Sequence, residues 1–177
     1  MTMDNIFSGN WESQLETQLL SFEPYRKTAY ICSPLEGKSE EEMLQNIKNA
    51  RAYMYYAITE IGCYARAPHA YLPMLLNNAQ PSERRLAILF GDSLLQESDM
   101  MLVCGNWISE GMRDEIIRAS FSCIPIYTFE ESVYREAANI VAQQAGNSKP
   151  LVHFDLSHAV LGNEYPVIHA QNAGCFL

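Results

Sequence analysis

Residues 100–119 constrain this chain more than any other stretch. Met100-Met-Leu-Val-Cys104 is a short apolar run closed by Gly105, as expected of a strand buried on both faces of a parallel sheet. Ser109 then offers an N-cap, and Met112, Ile116 and Ala119 share one stripe at about 100° per residue, which predicts a helix to about Ser120. A strand passing through a glycine-bearing loop into a helix N-terminus is where open α/β sheets bind ligands. Glu115 lies on the border of the stripe, with Gly111 one turn earlier leaving a space beside its carboxylate and Arg113 and Asp114 pointing away. Such a carboxylate can serve as a nucleophile or base. The plainer reading is a boundary residue paired with Arg118 at i+3.

The flanking segments extend the same alternation. Thr28–Cys32 reads as a first strand, and Ser39 caps a long helix to about Ile61, with Glu42 placed for a capping box and Gly62 as its stop. Cys63–Ala67 reads as a second strand closed by Pro68-His69, and Tyr71–Asn78 as irregular chain. A helix from Pro81 is expected to turn Leu86, Leu89, Phe90 and Leu94 inward. Cys123–Tyr127 reads as a fourth strand, Phe129 to about Ala145 as a helix with Val133, Ala137, Ile140 and Val141 inward, and Leu151–Phe154 as a last strand. Trp11, Leu15, Leu19 and Leu20 space one face of a short appended helix over about 11–20, and the tail from about 155 to 177 shows no clear period. Strands alternating with helices through short links give an α/β three-layer sandwich with a mostly parallel, Rossmann-like or flavodoxin-like sheet. At 177 residues this is one domain. No GxGxxG follows a strand, which disfavours a dinucleotide site of the usual kind.

Composition narrows the partners. With 21 acids against 12 bases and a net charge of -9, the chain is not suited to a nucleic-acid polymer, although a small nucleotide needs only local dipoles and an arginine or two. The five cysteines form no CxxC pair, and a reducing, cytoplasmic setting is the natural expectation. No apolar run approaches membrane-spanning length, so no membrane partner is expected, and residues 1–10 do not read as a signal peptide. His153-x-Asp155-x-x-His158 can be drawn as a metal site but lacks helical register and further ligands, so neither a metal nor another cofactor is expected.

In a parallel sheet the polar residues after each strand converge on one edge. Here they are Tyr30 and Ser33, then Arg66 and His69, then Ser109 with Glu115, while Asp99 opens the third strand. Tyr30-Ile-Cys-Ser33, Asp99 and Ser109-x-Gly111-x-x-x-Glu115-x-x-x-Ala119 together resemble the nucleoside 2-deoxyribosyltransferase family over roughly residues 27–128. The Ser-x-Gly-x-x-x-Glu form is most similar to the branch that hydrolyses 2'-deoxynucleoside 5'-monophosphates. Ala67-Pro68-His69 and Leu72-Pro73 resemble small, uncharacterised bacterial and phage-type relatives.

The resemblance implies a Glu115 nucleophile attacking the anomeric carbon of a deoxyribose, with Tyr30 donating to that carboxylate. It implies that Asp99 handles the leaving base, and that Ser109 and the helix amides hold a 5'-phosphate or 5'-hydroxyl. Ser33, Arg66, His69 and Gly111 complete the expected substrate contacts, with Arg84 an alternative source of a bidentate contact. It implies homodimers or larger homo-oligomers, with the segment at 11–20 and the tail as candidate contacts. Each residue also has a plainer reading: Tyr30 as a strand aromatic, Asp99 as a turn residue, Ser109 as an N-cap alone, His69 as a loop histidine. Two functions therefore stand side by side, N-glycosidic cleavage or transfer and a non-catalytic nucleotide-binding or sensing module.

Overall fold

A computed structural model describes residues 27–144 and 152–154; the expected helix at 11–20 and the tail lie outside the described residues. Five parallel strands form one sheet in the order β2-β1-β3-β4-β5. They are β1 (Thr28–Cys32), β2 (Tyr64–Arg66), β3 (Met100–Val103), β4 (Ile126–Thr128) and β5 (Val152–Phe154). Between them run α1 (Glu40–Tyr56), which continues as a wider π turn over Ala57–Ile61, a 3-10 turn (Pro68–Ala70), α2 (Leu72–Leu75), α3 (Pro81–Gln96), α4 (Glu110–Phe121) and α5 (Glu131–Gln144). The fold is α/β, with helices on both faces of the sheet.

The central strands are apolar throughout because both their faces are covered. Tyr30, Cys32, Met101, Val103 and Ile126 face Met112, Ile116 and Ala119 of α4 and Val133, Ala137, Ile140 and Val141 of α5. On the other face Ala29, Ile31, Met100, Leu102 and Cys104 meet Ala50 of α1 and Ala57 and Ile61 of its π turn. The stripes expected for α4 and α5 are the ones that are buried. Local caps set the helix ends: Ser39 Oγ accepts from Glu42 N–H, Glu42 Oε2 accepts from Lys38 N–H, and Gly62 stops the π turn at φ +75°. Gly105 is needed twice over, since its φ is +106° and a Cβ there would sit 3.2 Å from the Pro34 ring.

Helix α3 departs from expectation. Leu86, Leu89 and Phe90 are 53%, 57% and 46% exposed, while Gly91 and Leu95 face inward. The helix is rotated so that its small residues, Ala87 and Gly91, approach a cleft rather than the sheet. A purely apolar stripe could not anticipate this, because that inner face serves a cavity. The fourth strand also starts later than expected, because Cys123 adopts a left-handed turn at φ +56°. The stretch after Tyr71 holds the short helix α2. No helix among the described residues is long and apolar enough to cross a membrane.

Candidate active site

A cleft of about 280 Å³ opens outside the carboxyl ends of β1, β2 and β3. Its walls come from the loop after β1 (Leu35, Glu36), the Pro68-His69 turn, the inner face of α3 (Ala87, Ile88, Gly91, Asp92) and the first turns of α4. Tyr30 reaches it from β1 and Glu115 from α4.

The Tyr30 hydroxyl donates to Glu115 Oε1 at 2.8 Å across 85 residues of sequence. Burial first, and then the charge of Glu115, push the Tyr30 phenol well above its usual range, so it remains a donor. Cys32, two residues along the same strand face, is likewise pushed well up by burial and then by Glu115, so its thiol stays protonated beneath the carboxylate. The Glu115 side chain is only 12% exposed. Its Oε2 is enclosed and makes no hydrogen bond of normal geometry among the described residues. A buried carboxylate costs stability unless its lone pairs are used. One oxygen is fixed by the phenol, and the other is enclosed, with the Cys32 thiol within reach of the carboxylate.

The i+3 pairing with Arg118 is not formed: Arg118 Nε instead lies 2.7 Å from Asp92 Oδ1 of α3. That N–H is not aimed for a regular hydrogen bond, so the contact is chiefly one of charge. Asp92 also stands near Tyr30, whose phenol its charge helps to raise, and the neighbouring Gly91 lies against the same hydroxyl, where a Cβ would sit 3.4 Å away in ordinary contact. Within the cleft, Asp92 and Glu115 therefore both act on the Tyr30 hydroxyl. Sequence reading missed Asp92, whose position on the cleft face of α3 shows only once the helix rotation is known.

Other expected residues divide. Ser109 caps α4, its Oγ accepting from Met112 N–H at 3.3 Å, and both Ser109 and Gly111 line the cleft. A Cβ at Gly111 would meet nothing within 4 Å, so the expected open space is there. His69 lines the cleft with Nε2 3.8 Å from Glu115 Oε1 and Nδ1 2.7 Å from the Ser33 carbonyl oxygen. Ser33 itself is 1% exposed and lies behind the cleft wall, so its backbone rather than its hydroxyl serves the site. Asp114 lines the cleft instead of pointing away. Arg84 is also at the rim, paired with Glu36 at 3.1 Å.

Asp99 and Arg66 lie elsewhere. Asp99 precedes β3, at the amino edge of the sheet, where its Oδ2 accepts from Thr28 N–H at 2.7 Å and from Thr28 Oγ1 at 2.9 Å. The Thr28 amide, foremost, holds the Asp99 carboxyl below its usual range. Arg66 turns back to Glu97 at 3.0 Å and does not line the cleft. Asp99 is thus a clasp between β1 and β3, and its expected contact with a leaving base is corrected by its place at the opposite edge. No group of three or more potential metal ligands occurs among the described residues; Asp155 and His158 lie outside them.

No curated protein matches the chain by sequence. One family model, "Domain of unknown function (DUF7768)", matches residues 27–129, which run from the start of β1 to just beyond β4 and hold every cleft residue named above. The chain belongs to that family of domains of unknown function.

Proposed function

We propose that the protein cleaves or transfers the N-glycosidic bond of a nucleoside or nucleoside 5'-monophosphate through a glycosyl-enzyme on Glu115. The observation that carries this reading is the 2.8 Å hydrogen bond from Tyr30 to a buried, half-satisfied Glu115 inside a cleft. Cleavage of such a bond develops oxocarbenium character, which an adjacent carboxylate stabilises and can trap covalently. Tyr30 fixes the carboxylate so that its orientation is set before the sugar arrives.

Asp92 takes the part that the resemblance gave to Asp99: of the acids lining the cavity it is the one whose charge reaches the Tyr30 phenol beside Glu115, and in this reading it hydrogen-bonds the base and returns a proton to it. The first turn of α4 offers backbone amides and the Ser109 hydroxyl to a 5'-phosphate or 5'-hydroxyl, with Arg84 at the rim. This needs no net positive charge, consistent with -9 overall. The buried thiols Cys32 and Cys104 suit a reducing, cytoplasmic location. A homodimer belongs to the same reading, with exposed Leu86, Leu89 and Phe90 of α3 as its contact; a monomer by light scattering at assay concentration removes it.

Release of free base from a panel of nucleosides, deoxynucleosides and their monophosphates tests the proposal. The expected result is base release that Glu115→Ala abolishes, with a sugar adduct on the Glu115 peptide by mass spectrometry. Ligand-induced thermal shifts that survive Glu115→Ala, with no base released by either protein, would favour the non-catalytic nucleotide-binding module instead.

A further inference from the structure

The orientation of His69 points to a second role in the same cleft. Pro68 opens the 3-10 turn that carries the ring, and the Ser33 carbonyl oxygen lies 2.7 Å from Nδ1. A carbonyl only accepts, so Nδ1 carries a hydrogen and Nε2 of the neutral ring is a bare acceptor. That acceptor stands 3.8 Å from Glu115 Oε1 with the ring 20% exposed toward the cleft. Two acceptors so placed can each take one hydrogen from a single water between and in front of them.

We propose that His69 is the base that removes a proton from the water releasing the sugar from Glu115, with the Ser33 carbonyl fixing the tautomer. The proposal rests on the glycosyl-enzyme reading above. In that step the water oxygen bonds to the anomeric carbon, and the carbon–oxygen bond to Glu115 breaks with its electron pair returning to the carboxylate. The water proton passes to His69 Nε2. Base, reacting carboxylate and orienting carbonyl follow the general logic of a proton acceptor held by a third group. Tyr30 is committed as a donor to Oε1 and Asp92 is held against the Arg118 guanidinium, whereas His69 turns Nε2 toward Glu115 itself.

The test uses the full chain, the best substrate from the panel, and the variants His69→Gln and His69→Ala. Both are expected to release about one equivalent of base per site in a fast first turnover. Steady-state release should then fall by about 10²–10⁴-fold, the usual worth of a general base. The glycosyl–Glu115 peptide should accumulate. Azide, an anionic nucleophile with no proton to lose, should restore turnover and yield the glycosyl azide.

The size of the first turnover counts folded sites, so misfolding lowers that amplitude without changing the ratio of the two rates. First turnover and steady state falling together, with no adduct and no effect of azide, overturns the proposal. Unchanged steady-state turnover does the same. In both cases an active wild type leaves the glycosidic reading standing. A silent wild type removes both.

Discussion

The two edges of the sheet carry polar clusters of opposite character. At the amino edge, Asp99 takes two hydrogen bonds from Thr28, Thr28 Oγ1 also donates to the Glu97 carbonyl, and Glu97 pairs with Arg66. Those groups are matched to one another, and their work is to lock β1, β3 and the end of α3 together. At the carboxyl edge, Glu115 has one firm partner and an enclosed oxygen without a regular one, His69 turns Nε2 toward that carboxylate at 3.8 Å, and Asp92 is held by charge without an aligned hydrogen bond. A satisfied cluster stabilises the fold. A cluster left partly unsatisfied lowers stability and is kept where chemistry uses it. The comparison separates two acids that look equivalent in sequence, Asp92 and Asp99.

Substitutions at the two edges should therefore have opposite signatures. On the proposed reading the largest effect is expected from Glu115→Ala, with base release falling about 10⁴-fold or more because the proposed nucleophile is removed. Chromatographic assay of free base checks this, and residual activity within a factor of ten would break the assignment. Asp92→Asn should cost about 10²-fold in kcat while leaving the melting temperature near the wild-type value. An equal loss from Asp99→Asn would erase the distinction between the edges.

Tyr30→Phe comes next, at about tenfold in kcat/KM, the worth of one charge-assisted hydrogen bond that orients the nucleophile. Mass spectrometry under Tyr30→Phe should still find the Glu115 adduct, since the phenol positions the carboxylate and does not react. The smallest effect on catalysis, less than twofold, is expected from Asp99→Asn. Its cost should appear as stability instead, about 0.5–1 kcal/mol at neutral pH, at the low end because Asp99 is exposed and screened.

The sign of the pH dependence follows from its lowered carboxyl. The stabilisation is fully present above the ordinary carboxylate value and is lost as pH falls through the lower folded value. The gap between wild type and Asp99→Asn in denaturant melts should therefore close below about pH 4. A gap that widens in acid would show that Asp99 is not the clasp described.

Periodicity and capping alone carried much of this molecule: the five strands, the Ser39 and Ser109 caps, the Gly62 stop and the stripes of α4 and α5 are local in origin. These features depend on neighbours three or four residues away, or on one residue's backbone freedom, so they are legible without a fold. Tyr30 and Glu115 were also legible, because a parallel sheet obliges residues near its strand ends to converge.

Only the tertiary structure decided which acid accompanies them. Asp92 and Asp99 are seven residues apart in sequence, yet one lies on the cleft face of α3 and the other on the far edge of the sheet. That outcome depends on how α3 is rotated over a cavity, and its Leu86, Leu89 and Phe90 stripe pointed the wrong way. Burial pattern records where apolar surface goes, whereas a binding cleft is lined by what the core leaves uncovered. The rotation of such a helix follows from contacts far away in sequence, and periodicity within it does not encode them.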